Sequence, residues 1–172
     1  MQSIVITMRG DDRPGLVNRI SDCAISHGAN WADSALATFA GQFCGAIHLE
    51  AEDAKAPSLI EALLALNEPT FKVDAARVSR APMVTGRTLV LDLIGNDRPG
   101  IVNAITSQLA LLGANIQKMN TVVSSAPMSG DSLFSVHAVI MLNEDADVNE
   151  LRKSLEGLAD ELMVDLSLAS DK

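Results

Sequence analysis

The chain has 172 residues, of which 48% are hydrophobic and 20% are charged, and its formal net charge at pH 7 is −9. This composition is typical of a globular protein with one or two domains. No apolar run approaches the ~20 residues that a membrane helix needs, and the N-terminus lacks the basic segment and the cleavage site of a signal peptide. We therefore expect a cytoplasmic protein without a membrane span.

The charge balance also excludes a class of partner. Affinity for nucleic acid depends largely on Lys and Arg side chains that neutralise phosphates, and this acidic chain has no cluster of them. We expect no direct binding to nucleic acid. A role in gene regulation would therefore require a protein partner.

An internal repeat determines the predicted domain organisation. The segment GDDRPGLVNRI at 10–20 matches GNDRPGIVNAI at 95–105, and HGAN at 27–30 matches LGAN at 112–115. Both matches occur at the same shift of 85 residues, which indicates that a whole unit has been duplicated. The predicted parts are a first domain at 1–79, a linker at 80–86 and a second domain at 87–172.

In the first copy, apolar residues alternate over residues 4–8, which predicts a strand. A helix follows, and Gly28 is predicted to end it in the left-handed conformation. Two strands joined by a tight turn, a second helix and a last strand complete the copy. The predicted bounds of these four elements are 31–39, 43–51, 57–67 and 71–78.

The second copy follows the same order. Its first strand alternates over residues 89–93, and Gly113 is predicted to end its first helix. The next two strands are predicted near 116–124 and 133–142, with a longer connection that contains Pro and Gly. A second helix and a strand near 163–169 complete the copy.

The order βαββαβ is therefore predicted twice. Right-handed crossovers turn each copy into a four-stranded antiparallel sheet with both helices on one face, which is the ferredoxin-like arrangement of the α+β class. A lone unit of this size would leave the other face of its sheet uncovered. We therefore expect the units to pair and the chain to form a homodimer or a larger oligomer.

The loop after the first strand of each copy is the candidate functional feature. Asp12 and Asp97 are predicted to be helix N-caps, with the following Pro-Gly in the first helical turn. The N–H groups and the positive dipole end of a helix N-terminus suit a carboxylate, and Gly15 or Gly100 would let a ligand approach the backbone. The same residues could instead serve only to cap a helix and shape a turn, so both interpretations stay open.

The repeated segments resemble a known family. A strand that ends in G(D/N)DRPG, a helix that opens with LVN or IVN, and GAN before the next strand are similar to the ACT domain. Two such units in tandem most resemble the glycine cleavage system transcriptional repressor group, as does the APMSG segment followed by Leu133 and Phe134. The resemblance implies that amino acids bind at interfaces between ACT units, near the loop after the first strand.

The family's ligand-facing positions carry over to both copies, and they include a polar residue at the start of the second strand. The implied ligand-binding residues are Asp11, Asp12, Arg13, Pro14, Gly15, Leu16 and Asn30 in the first copy, and Asn96, Asp97, Arg98, Pro99, Gly100, Ile101 and Asn115 in the second. Trp31 departs from the aliphatic residue that is usual in the family, which the second copy keeps as Ile116. This departure argues against treating the two sites as equivalent.

The sequence offers no catalytic constellation. His27, His48 and His137 lack a nucleophile at a supporting spacing, and the chain has no GxGxxG, P-loop or GxSxG motif. Cys23 and Cys44 have neither CxxC spacing nor a histidine at metal-ligand spacing, so we interpret both as small core residues. We expect no catalytic residues, no metal and no cofactor, and we interpret the protein as a regulator rather than an enzyme.

Two functions fit these observations. The first is an amino-acid sensor that controls transcription of glycine cleavage or related amino-acid metabolism genes through a protein partner such as a LysR-type regulator, with glycine or a similar amino acid as effector. The alternative is a regulatory subunit that binds and allosterically controls a metabolic enzyme. The loop is also similar to that of the N-terminal ACT domain of formyltetrahydrofolate deformylase, which is the weakest of the three interpretations.

The charge balance generates a first prediction. At physiological salt the isolated protein should show no tight, salt-dependent binding to duplex DNA in an electrophoretic mobility shift, because its net charge is −9 and it lacks a basic surface cluster. A sub-micromolar complex formed without any partner protein would contradict this expectation.

Overall fold

The computed structural model describes residues 1–79, 85–126 and 130–170. The chain divides into two compact units, Met1–Pro82 and Met83–Lys172. Most of the predicted linker at 80–86 lies outside the described residues, and Gly86 at its end opens a strand of the second unit. Part of the APMSG segment, residues 127–129, also lies outside the described residues.

Each unit has the order βαββαβ, and each forms one antiparallel sheet of four strands. The first unit consists of β1 (Gln2–Asp11), α1 (Leu16–Ser26), β2 (Asn30–Phe39), β3 (Gln42–Ala51), α2 (Ala56–Leu64) and β4 (Phe71–Val78). The second consists of β5 (Gly86–Asn96), α3 (Ile101–Leu111), β6 (Ala114–Ser125), β7 (Ser132–Asn143), α4 (Val148–Leu162) and β8 (Val164–Ser170). The sheet orders are β2-β3-β1-β4 and β6-β7-β5-β8, so the predicted fold is confirmed.

The core of each unit lies between one sheet face and its two helices. Alternate residues of the central strand point toward the helices, which is why every second residue is buried there. Helix residues spaced by three and four positions meet them from the other side. The fully or almost fully buried side chains of β1, α1, β5 and α3 are Ile4, Ile6, Met8, Leu16, Ile20, Ala24, Leu89, Leu91, Leu93, Ile101, Ile105 and Leu109.

The starts of α1 and α3 differ from the prediction. Asp12 and Asp97 are not N-caps, because the helices begin later, after Gly15 and Gly100, and neither start has a side-chain cap. The backbone N–H of Asp12 instead donates to the carbonyl of Gly41 at 3.1 Å, and the Asp12 carboxylate accepts from Thr38 at 3.3 Å. The loop is therefore held against the β2–β3 hairpin, and the Pro-Gly pair lies in the turn that precedes the helix.

The other helix boundaries have clear local causes. Gly28 and Gly113 follow α1 and α3 with φ of 66° and 73°, which confirms the predicted left-handed ends. Helix α2 ends at Leu64, earlier than predicted, where the Asn67 side chain donates to the Leu64 carbonyl at 2.8 Å. The same side chain accepts from the backbone N–H of Val73 at 3.0 Å, so it folds residues 65–70 into a compact connection to β4.

The turn glycines yield a prediction for stability. Gly100 has φ of 99°, so Gly100→Ala should lower the free energy of unfolding by about 1–2 kcal/mol through backbone strain alone. A Cβ there would meet no atom within 4 Å, which rules out a clash as the cause.

Gly157 is the matched control, since it lies within α4 and its Cβ would also meet open space. Gly157→Ala should raise the free energy of unfolding by about 0.5–1 kcal/mol, because alanine is the better helix former. Urea denaturation measures both values. Equal effects of the same sign would refute the conformational explanation.

Candidate ligand-binding loops

The first candidate site is built around residues 11–16, which we call the first loop. It connects β1 to α1, and a cavity of about 550 Å³ opens beside it. Its wall is formed by the polar residues Asp12, Arg13 and Asn18 and the apolar residues Val17 and Phe43, together with Pro14, Gly15 and Leu16. A small molecule with one charged end and a short apolar part would match such a surface.

The second loop, residues 96–101, connects β5 to α3 in the same way. A cavity of about 490 Å³ opens beside it, with Arg98, Asn103 and Phe134 in its wall, together with Gly100, Ile101, Val102 and Thr106. An arginine, an asparagine and a phenylalanine therefore line the cavity in both copies, whereas an aspartate, Asp12, lines the first cavity and none lines the second.

The two helix starts leave backbone donors available at these cavities. The first turn of a helix has N–H groups with no partner inside the helix, and no side chain caps α1 or α3. The first backbone hydrogen bond of α1 runs from the N–H of Arg19 to the carbonyl of Gly15 at 3.0 Å, and that of α3 runs from the N–H of Ala104 to the carbonyl of Gly100 at 2.9 Å. The preceding N–H groups, at residues 16–18 and 101–103, can therefore donate to a carboxylate.

The structure brings most of the sequence-predicted residues together but separates the two asparagines. Asn30 pairs with Glu50 on β3, whereas the first loop meets β3 at Gln42, which pairs with Asp11. Eight residues of an extended strand span about 27 Å. Asn115 is likewise far from the second loop, because it pairs with Met141 on β7, whereas the loop meets β7 at Leu133, which pairs with Asn96. One amino acid cannot touch both the loop and the asparagine of a single unit.

Trp31 and Ile116 turn out to be packing residues. Both are partly buried against the core of their own unit. Each also precedes an irregularity in strand pairing, between Trp31 and Asp33 and between Ile116 and Lys118. The size difference between the two side chains is therefore accommodated in the cores.

Sequence reasoning missed the far wall of each cavity. Phe43 and Phe134 are equivalent because they pair with Gly10 and Gly95 in the central strands. The repeat search did not reveal them, since the longer β6–β7 hairpin changes the shift in this part of the chain. Asn18 and Asn103 were visible at the common shift, within LVN and IVN, and could have been found there.

A cluster of charges surrounds the first loop. Arg13 donates to the Glu68 carboxylate at 2.5 Å, and Arg19 contacts the other oxygen of the same carboxylate at 2.8 Å. The Arg19 guanidinium also lies over the Phe71 ring, 5.5 Å from its centre. These hydrogen bonds, first from Arg19 and then from Arg13, hold the pKa of the Glu68 carboxyl below its ordinary value of 4.5.

The sign of the resulting pH dependence follows from this lowered pKa. Ionised Glu68 contributes to the free energy of unfolding at pH values above its unfolded-state pKa. This contribution is lost as the pH falls through the lower pKa of the folded state. The Glu68 side chain is 38% exposed, so solvent screens the pairing and its effect on overall stability is small. The main consequence of the ion pair is that the Arg13 guanidinium is already bound to a carboxylate of its own unit.

A second pair of titratable side chains lies in the second unit. On the open face of the second sheet, His137 lies 2.6 Å from Asp92, beside a cavity of about 430 Å³ with Ile94, Asn120 and Val122 in its wall. No group of three or more His, Cys, Asp or Glu side chains that could hold a metal occurs among the residues that the structure describes. In the same part of the chain, no helix is long and apolar enough to cross a membrane.

Comparison with known families agrees with the duplicated geometry. The model of the ACT domain family matches residues 2–73 and 87–169, which are the two structural units. The chain belongs to the ACT domain family. It is therefore an ACT-domain regulatory protein with two ACT units in tandem.

Two solved structures are similar to the chain over almost its whole length. A crystal structure of an unknown protein from Galdieria sulphuraria is similar over 99% of both chains, with 31% identity and a TM-score of 0.85. The crystal structure of a candidate glycine cleavage system transcriptional repressor has 21% identity and a TM-score of 0.72, over 99% of this chain and 98% of its own. At that identity it supports the shared fold alone.

A shorter relative matches about half of the chain. A UPF0237 protein from Streptococcus mutans is 31% identical over 81 residues, which is 47% of this chain and 85% of that protein. The matched segment thus has about the length of one of the two units of this chain.

Proposed function

We propose that this protein senses a small amino acid at its loops and transmits occupancy to a protein partner. The partner in this proposal is a transcription factor such as a LysR-type regulator, and the controlled genes are those of glycine cleavage or related amino-acid metabolism. The observation that carries the proposal is the duplicated cavity beside an uncapped helix N-terminus, with an arginine in its wall.

The chemistry of the cavity suits a zwitterion. The guanidinium of an arginine and the free N–H groups of a first helical turn both donate to a carboxylate. Asn18 or Asn103 can accept from an ammonium through its side-chain oxygen. The apolar walls formed by Val17 and Phe43, or by Val102 and Phe134, leave room for a short side chain or none.

The electrostatics support action through a protein. A net charge of −9 opposes close approach to DNA, whose affinity for proteins depends on positive side chains. Val17 and Val102, at the start of α1 and α3, are 36% and 41% exposed. Apolar side chains at the cavity rim give a partner a surface whose environment changes when the cavity fills.

A thermal-shift screen tests the sensing function. Each of the twenty amino acids is added to the full chain at up to about 10 mM, and we expect glycine or a similar small amino acid to raise the melting temperature. A ligand at 100 times its Kd stabilises the folded state by about 2.7 kcal/mol. The absence of a shift with every amino acid would contradict the proposal.

Affinity purification of the tagged chain from its own cells tests the partner. We expect a transcription regulator whose recovery changes when the amino acid identified by the screen is added. Stoichiometric recovery of an enzyme of amino-acid metabolism would instead favour the regulatory-subunit alternative.

A further inference from the structure

The two loops share a backbone conformation but differ in what their arginines contact. In the first unit Arg13 lines the cavity, and its guanidinium also contacts the Glu68 carboxylate at 2.5 Å. Arg98 takes the same place in the second unit and lines its cavity. No side chain among the described residues forms an ion pair with Arg98.

The connection before the last strand explains this difference. In the first unit residues 65–70 separate α2 from β4, and the Thr70 carbonyl accepts from the backbone N–H of Asp11 at 3.1 Å. This contact fixes the connection beside the first loop and places Glu68 within reach of Arg13. In the second unit Met163 alone separates α4 from β8, so no corresponding segment reaches Arg98.

Two further sequence differences between the copies also leave the second cavity with fewer internal polar contacts than the first. Arg19, the second partner of Glu68, corresponds to Ala104 at the common shift. The Asn18 amide donates to the Asp22 carboxylate at 2.8 Å, and Asp22 corresponds to Ser107. The first unit therefore engages Arg13 and Asn18 with its own acidic residues, whereas no acidic side chain among the described residues pairs with Arg98 or Asn103 in the second.

We propose that the second loop is the effector site of the chain, and that the first loop is occupied internally by Glu68. In the second loop Arg98 takes the carboxylate of a small amino acid, in the position where Glu68 meets Arg13 in the first. Ile101, Val102 and Phe134 in the wall select an amino acid with a short apolar side chain or none. This assignment rests on the proposed function, because it identifies which of the two loops senses the amino acid.

Isothermal titration calorimetry of the full chain tests the assignment, with glycine first and then the other nineteen amino acids singly. We expect one molecule bound per chain. Arg98→Gln should weaken binding by at least about tenfold, because a charge-assisted hydrogen bond is lost. Arg13→Gln should weaken it less than about twofold, because Arg13 contacts Glu68 and forms no charge-assisted hydrogen bond with the bound amino acid. Arg152→Gln, an exposed arginine change on α4, controls for the lost charge.

Glu68→Gln tests the internal occupant. Removing its charge should release Arg13, and a second binding event should appear in the titration. Arg13 and Glu68 are 44% and 38% exposed, so neither change removes core packing, and circular dichroism melts verify that each variant is folded.

The outcomes separate the two proposals. Two equal sites in the unaltered chain, a larger loss with Arg13→Gln than with Arg98→Gln, or no second event with Glu68→Gln would overturn this assignment while sensing itself stands. No binding of any amino acid to the unaltered chain would instead contradict the proposed function, and this assignment with it.

Discussion

The backbone conformation of Gly15 and Gly100 is the constraint on which both loops depend. At φ of 95° and 99°, a residue with a Cβ would be strained, whereas glycine adopts the conformation readily. The preceding proline fixes its own φ and has no N–H to satisfy. Together the two residues turn the chain sharply, so that each helix begins directly after the glycine, and no side chain caps it by a hydrogen bond.

The sheet then determines what surrounds each turn. The central strand of each unit ends beside the β-hairpin, and Gly10 and Gly95 near its end lie opposite Phe43 and Phe134. A Cβ on Gly10 would lie 2.8 Å from Phe71 on the other side, so the strand end is closely enclosed. The loop, the helix start and the aromatic side chain therefore meet at one edge of the unit and leave a cavity between them.

Duplication made the fold predictable, and it limited what could be predicted of the site. One shift of 85 residues aligned the strand, the loop and the helix end, and alternation supplied the rest of the topology. The N-cap prediction for Asp12 failed because the helix begins only after Gly15, and the Asp12 carboxylate accepts from Thr38 in the hairpin instead. A contact between residues 26 positions apart leaves no local signal in the sequence.

Other contacts of the site also join residues that are far apart in the sequence, so they too leave no local signal. Glu68 reaches Arg13 because Asn67 folds the connection after α2 and the Thr70 carbonyl holds it beside the first loop. The sequence spacing of Glu68 and Arg13 does not indicate this contact. The separation of Asn30 from the first loop follows from strand direction, since β2 starts at the end of the sheet that the loop does not reach. Similarity between the copies identified the loops, whereas the differences around them became visible only in three dimensions.

An NMR titration tests the central claim most directly. The full chain, labelled with ¹⁵N, is titrated with glycine, and amide chemical shifts are followed for both units in one experiment. The account predicts that the largest changes lie at residues 98–103, around the second loop and the start of α3. Changes confined to the open face of the second sheet, around Asp92 and His137, would show that the ligand binds elsewhere and would contradict the account.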